Sequence, residues 1–341
     1  MKKLARPLLI TFAILVIAML LSIGVGSVFI HPRIVFSILW QALTGSTSKG
    51  EQADIYSVIL LTLRLPRTLL MIMTGAALAG SGCAYQGLFR NPLADPYLIG
   101  AASGAGLGAV AAMAFNWPGS SLGYLAVPLV SFAGALLAVF LVFQLAKIGK
   151  TLPVTNLILA GVAVSSFATA LSSFIMINSA GELRRALVWL LGGSTLAGWK
   201  PVVGMLPYAL TGLAALLVMS YKLNVLQFGD EQAQQLGIQV SGVRTRIILA
   251  ATLATAAAVA FSGIIGFVGL IVPHITRRFC GGDMRRMLPL SMLGGGAFLL
   301  IADILARVLM APRELPVGII TALCGAPFFL FILRQSKKQV W

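Results

Sequence analysis

RPLLITFAILVIAMLLSIGVGSVFIH, Arg6 to His31, holds no charge between its two ends. An uncharged apolar run beyond roughly 18 residues reads as a membrane-spanning helix. Lys2, Lys3 and Arg6 precede it, which also suits a signal peptide. The apolar core of such a peptide is about 7–15 residues, however, and no convincing small-residue cleavage site follows here. The run is read as a retained first helix. The rest of the chain has the same character: 341 residues, 59% hydrophobic, 10% charged, mean hydropathy +0.97. A soluble domain carries roughly 25% charged residues. Lipid must therefore be the solvent for much of this chain, and a soluble fold is excluded.

Splitting at charges and prolines places spans at 7–30, 64–88, 97–115, 123–146, 153–176, 203–221, 247–263, 264–279, 288–310 and 316–334. The expected fold is all-α and polytopic, about ten transmembrane helices in one domain covering 1–341. Within 247–279, Gly263 and Gly266 mark either a tight reversal or one long kinked helix. Gly100, Gly104 and Gly108 stand four apart, so one helix face is predicted to admit a second backbone closely.

Formal charge is +16, from 25 basic and 9 acidic residues. In a membrane protein such an excess points to loops held on the cytoplasmic side rather than to nucleic acid. With ten crossings and the N-terminus inside, the inner loops collect Lys2, Lys3, Arg6, Arg90, Lys147, Lys150, Lys222, Arg244, Arg246, Arg277, Arg278, Arg285, Arg286, Arg334, Lys337 and Lys338. These loops are short and basic, whereas 31–63 and 177–202 are longer and mixed. Both termini are therefore expected in the cytoplasm.

Several chemistries are missing. Gly149-Lys150-Thr151 is the nearest string to a nucleotide-binding loop, but Gln144 stands where its first glycine belongs. His31 and His274 are far apart, and Cys83, Cys280 and Cys324 lack ligand spacing, so no metal or haem site is expected. Asp303 is the one convincing carboxylate within a span. Arg307 lies one turn on, so a local ion pair is the simpler reading than a proton relay. Transport powered from elsewhere is the implication.

The segment LRLPRTLLMIMTGAALAGSGCAYQGLFRNPLADPYLIGAASGAG (Leu63–Gly106) resembles the FecCD-type permease subunits of type II ABC importers. So do QLG (Gln235–Gly237), SGIIGFVGLIVPHITRRFCGGDMRRMLP (Ser262–Pro289), ADILAR (Ala302–Arg307) and ELPVGIITALCGAPFFLFIL (Glu314–Leu333). The strings occur in the family's order and spacing across most of 60–335. The resemblance implies ten helices per subunit, both termini cytoplasmic, and a homodimer in the cytoplasmic membrane with the path along its interface. It further implies two cytoplasmic ATPase subunits that hold ATP and Mg, an extracytoplasmic substrate-binding protein, and no cofactor or catalytic residue on this chain. The cargo implied is a metal chelate, foremost an iron–siderophore complex, with haem, vitamin B12 and oxyanions as alternatives.

Three sites carry over with the motifs. Arg64, Arg67 and Arg307 correspond to arginines that face acidic residues on the binding protein; anchoring at lipid headgroups is the plainer alternative. The loop from about 227 to 246 corresponds to the short coupling helices seated on the ATPase, with Asp230, Gln232, Gln235 and Leu236 on the first and Gly237 ending it. Asn91-Pro92-Leu93 and Pro153-Val154-Thr155 correspond to the cytoplasmic gate, although Pro153 and Val154 depart from the family's small hydroxyl residues. Glu182–Trp199 resembles an extra helix at the outer mouth, where Arg184 and Arg185 meet solvent, the binding protein or an anionic substrate. Two other classes compete: an ion-driven secondary transporter and a non-transporting membrane scaffold.

Overall fold

The computed structural model describes residues 2–26, 30–44, 51–115, 123–149, 152–179, 181–193 and 198–336. Lys150, Lys337 and Lys338 of the basic set, and 194–197 of the mouth segment, lie outside the described residues.

The chain is all-α. In order, its helices are α1 (Lys2–Gly24), α2 (Pro32–Thr44), α3 (Glu51–Val58), α4 (Leu65–Leu88), α5 (Ala101–Ala114), α6 (Ala126–Ala146) and α7 (Val154–Asn178). There follow α8 (Leu183–Leu190), α9 (Trp199–Val218), α10 (Ser220–Leu226), α11 (Asp230–Gln235), α12 (Val240–Ser262), α13 (Val268–Cys280), α14 (Met284–Val308) and α15 (Val317–Ser336). Among the described residues, seven helices are long and apolar enough to cross a membrane. Shorter apolar helices lie at Ala101–Ala114 and Val317–Ile332. A wide-pitched turn at Ile59–Arg64 joins α3 to α4, so the second span runs unbroken from Ile55 to Leu88.

α4, α12 and α14 form the centre. Gly75 of α4 meets Gly295 of α14 backbone to backbone, and Gly82 meets Gly269 of α13, where any Cβ would collide with a carbonyl. Without water to drive helices together, such close approach supplies the packing. Short polar bonds add to it. Thr74 Oγ1 and Ser262 Oγ lie 2.6 Å apart, and Ser81 Oγ donates to the Ala251 carbonyl at 3.0 Å.

The glycine ladder divides its labour differently from the expectation. Gly104 and Gly108 do face α6, against Gly134 and Val130. Gly100 does not. It precedes α5 at φ +83°, closing a 3₁₀ turn over Pro96–Ile99 that Asp95 caps by accepting from Tyr97 N at 2.8 Å. A left-handed φ suits glycine because it has no Cβ to clash.

The chain between α12 and α13 makes a tight reversal, and 264–279 is not one helix. Residues 263–267 are non-helical, and Phe267 takes the left-handed conformation at φ +69°. Irregular backbone at membrane depth survives only where protein satisfies its polar groups. Tyr97 does so here, its hydroxyl donating to the Ile265 carbonyl at 3.0 Å. α13 then spans 13 residues, about 20 Å, short of a ~30 Å hydrocarbon core. Pro273 inside it leaves the Gly269 carbonyl without its usual donor, and Gln86 Nε2 supplies one at 3.1 Å.

Candidate functional site: two polar ends of one bundle

α4 and α14 run antiparallel, with Arg67 beside Asp303, Gly75 against Gly295 and Gly87 against Met284. Twenty residues of α4 separate the first and last levels, about 30 Å at helical rise. The arginine cluster and the α10–α11 segment therefore occupy opposite ends.

At the first end Asp303 is fully buried. Its Oδ1 accepts from Arg67 Nε at 3.0 Å and Nη2 at 2.8 Å, and its Oδ2 lies 3.0 Å from Arg307 Nε. Arg67 reaches on to Glu314 Oε2 at 2.6 Å. Arg307 Nη1 donates to the Ser22 and Val25 carbonyls, both at 3.1 Å, and Nη2 to Ser22 Oγ at 2.9 Å. Arg64 Nη1 donates to the Ile23 and Gly24 carbonyls, both at 2.9 Å. The last turn of a helix leaves four carbonyls without internal donors. Here two guanidiniums cap the end of α1, and Asp303 balances one of them.

This geometry corrects the expectation that all three arginines present their charge outward. Arg64 is 8% exposed and Arg307 4% exposed, because the orphan carbonyls of α1 draw both inward. Arg67 keeps 34% of its side chain exposed. Neither buried arginine lies at a headgroup-facing surface. The Asp303–Arg307 pair forms as expected, with Arg67 as an additional partner.

At the second end, α11 begins at Asp230 and stops after Gln235, as its helix formers suggest. Gly237, at φ +80°, donates to the Gln234 carbonyl at 2.9 Å, and Ile238 N to the Ala233 carbonyl at 3.0 Å. That pair of bonds is a Schellman close, which needs a left-handed residue at this position. Ala233 is buried, while Gln232, Gln235 and Leu236 face outward, Leu236 being 67% exposed and the preceding Phe228 69%. The expected loop to 246 is shorter, since α12 starts at Val240 and takes Arg244 and Arg246 into its first turns.

Asn91 ends α4, its N–H donating to the Gln86 carbonyl at 3.1 Å, while its Oδ1 accepts from Leu93 N at 2.9 Å. Pro92 and Leu93 border a cleft shared with Phe267, His274, Gly325 and Phe328. Pro153 caps α7 with extended backbone; Val154 and Pro153 are half-buried and Thr155 is exposed. The residues just before the two expected gate segments, Arg90 and Leu152, reach toward the start of α11. Arg90 Nη1 lies 3.5 Å from where a Cβ on Gly229 would stand, and the Leu152 carbonyl is tied to Arg244, which holds Asp230.

Sequence reasoning missed the residues that make these ties. Arg244 was visible only as one more basic residue, and its partner stands 14 positions away. Asp283 caps α14 and accepts from Asn224 Nδ2 at 2.6 Å, joining α10 to α14. Burial works against its charged form. Hydrogen bonds from the Arg285 side chain, from Asn224 and from Arg285 N outweigh that and hold Asp283 below the usual carboxylate range. A cap of this kind could have been found from Asp283 standing just before an apolar run.

Residues 14–335 match the FecCD transport family. The chain belongs to that family. It is 44% identical over 327 residues to the cobalamin import system permease protein BtuC of Halobacterium salinarum, covering 94% of this chain and 87% of the relative. It is 37% identical over 341 residues to the hemin transport system permease protein HmuU of Yersinia pestis, covering 98% of each. To the Fe(3+) dicitrate transport system permease protein FecD of Escherichia coli it is 37% identical over 335 residues, covering 98% and 100%. A solved structure of a metal-chelate type ABC transporter, in an inward-facing conformation, superposes with a TM-score of 0.81 at 30% identity, covering 97% and 99%. As a FecCD member the chain is a multi-pass membrane permease of the metal-chelate, haem and cobalamin importer class.

Proposed function

We propose that the whole chain, 1–341, is one permease domain that forms, as a homodimer in the cytoplasmic membrane, the path for a metal chelate delivered by a substrate-binding protein. An iron–siderophore complex is the favoured cargo, with haem and corrinoid behind it. The observation that carries the reading is the pair of unlike ends: a closed arginine–carboxylate rim at one, and a short exposed helix capped by Gly237 at the other. Two ATPase subunits bind ATP and Mg and press on α11 through Gln232, Gln235, Leu236 and Phe228. The N- and C-termini lie on that same cytoplasmic side, in keeping with the basic loops.

At the rim, docking falls on Arg67 and its exposed neighbour Glu314, while Arg64 and Arg307 hold the shape beneath. Asn91-Pro92-Leu93 and Pro153-Val154-Thr155 serve as the gate, because both stand beside the element that moves. The partner copy covers α7 and α15, whose Leu159, Phe167, Ile177, Leu323 and Phe331 are all more than half exposed. Against an ion-driven mechanism, both oxygens of Asp303 face guanidiniums, and Glu314, the carboxylate beside them, is joined to it only through Arg67 among the described contacts.

The test is reconstitution of the permease with its ATPase and binding protein in liposomes. ATP-dependent uptake of ferric citrate, haemin or cyanocobalamin that persists after a protonophore supports the reading. Uptake abolished by the protonophore with ATP present overturns it.

A further inference from the structure

We propose that Arg244 is a positioning residue that carries movement of α11 to the first turn of α7. The inference rests on the importer reading above.

Arg244 lies in the second turn of α12 and is 8% exposed. Its Nη2 donates to both oxygens of Asp230 at 2.9 Å, and its Nη1 donates to the Leu152 carbonyl at 3.1 Å. One planar guanidinium therefore addresses two separate elements at a fixed angle. Lysine, with a freely rotating ammonium, would not impose that angle.

Each element is poised to pass displacement on. Asp230 opens α11, which has six residues and is pinned by Ala233, fully buried in one cluster with Val240 and Val243 of α12. A helix so short and so seated moves as a body. On the other side, Leu152 is buried and directly precedes Pro153. The proline ring fixes φ, at –63° here, and its carbonyl accepts from Leu157 N at 3.1 Å. A shift of the Leu152 carbonyl is thus delivered to α7 instead of being absorbed by backbone rotation.

Stability alone does not account for the arrangement. Asp230 keeps 42% of its side chain exposed against 10% for Arg244, so water screens the pair from one side and its contribution to stability is small. The Leu152 carbonyl needs a single donor, which a smaller side chain or water could supply. What the guanidinium adds is a shared polar point for two elements whose Ala233, Leu152 and Leu157 lie in one apolar cluster.

The experiment compares uptake per ATP hydrolysed in liposomes holding the full importer, with ferric citrate, haemin and cyanocobalamin as probes. Arg244→Gln is expected to lower that ratio about tenfold, within the range of coupling between linked sites. Arg244→Lys keeps the charge but not the planar fork, so the complex assembles while the ratio stays low. The exchange Asp230→Arg with Arg244→Asp restores the ion pair but turns a carboxylate toward the Leu152 carbonyl, so the ratio stays low. A residue that merely ties α11 to α12 would be rescued by that exchange, and such rescue overturns the inference. An unchanged ratio in Arg244→Gln overturns it as well. Elution of each variant complex at the wild-type volume guards against misfolding, and a wild-type ratio in Arg244→Lys also counts against the inference. A wild-type complex that transports none of the three probes removes the importer reading and this inference with it. A coupled wild type beside an equally coupled Arg244→Gln removes this inference alone.

Discussion

The two ends of the bundle use the same chemistry, arginine on carboxylate and carbonyl, for opposite mechanical purposes. At the Asp303 end the guanidiniums of Arg64, Arg67 and Arg307 join three long helices, α1, α4 and α14, around a carboxylate with no exposure at all. At the Asp230 end a single guanidinium joins a six-residue helix to a loop, and its carboxylate partner is 42% exposed. Burial decides the difference. A charge removed from water cannot lose its partner without a large penalty, so the first cluster behaves as a weld. A pair whose carboxylate is open to water parts at lower cost, so the second suits a joint.

The sharpest way to break this contrast is to remove each carboxylate. Asp303→Ala takes the carboxylate from buried Arg307 and leaves it beside Arg67, whose other partner is Glu314. It is expected to cost about 3–5 kcal/mol, read as a fall in the thermal unfolding midpoint of the purified permease. Asp230→Ala leaves Arg244, itself buried, with the Leu152 carbonyl, and is expected to cost less, about 1–3 kcal/mol. Equal losses at the two sites would erase the distinction.

Gln86→Ala asks whether the middle of the bundle belongs with the weld. It strips the donor that serves the Gly269 carbonyl above Pro273, an effect expected at about 1–3 kcal/mol in the same melt. A change confined to α13 amide exchange, with no shift of the midpoint, would place the midplane with the joint instead.

Gly237→Ala forces a side chain into the left-handed region, a strain of about 1 kcal/mol. Amide exchange over 230–238 should accelerate while the global midpoint holds, because the last turn of α11 loosens alone. A global shift would mean that α11 is part of the rigid body.

The smallest effect concerns Asp283, which joins α10 to α14. Its carboxyl lies below the usual range in the folded protein, so its contribution is complete above the unfolded value near 4. It is lost as pH falls through the folded value. Asp283→Asn keeps the cap but drops the charge, and should lower stability by about a few tenths of a kcal/mol at pH 6. The difference between the two melts should close on acidification; a gap that widens would reverse the assignment.

Much of this was legible beforehand because lipid leaves few options. Once water is excluded, backbone groups must bond within a helix, and apolar runs between charges mark the helices directly. Lys2–Gly24, Leu65–Leu88, Ala126–Ala146 and Met284–Val308 are each one helix over most of the expected spans that begin at 7, 64, 123 and 288 for that reason. The end of α11 at Gly237 was legible too, since only a left-handed position closes a helix in that way. The reversal at 263–267 was not. Its glycines fit a kink equally well, and the outcome turned on whether Tyr97, some 168 residues away, could satisfy Ile265. Nor could sequence show which way the arginines turn, because Arg64 and Arg307 are drawn by carbonyls that no side-chain pattern reveals.

By itself, then, the sequence determined a helical membrane protein, the order of its spans, the FecCD motifs and the residues of the short polar segments. Those follow from local chemistry: hydropathy, proline, glycine and charge. Only the tertiary structure decided that two of three rim arginines are buried, that α13 is a half-length helix served by Gln86, and that Arg244 binds the start of α11 to the start of α7. Each of these depends on a donor and an acceptor far apart in the chain, and which of them meet is settled by how the helices pack.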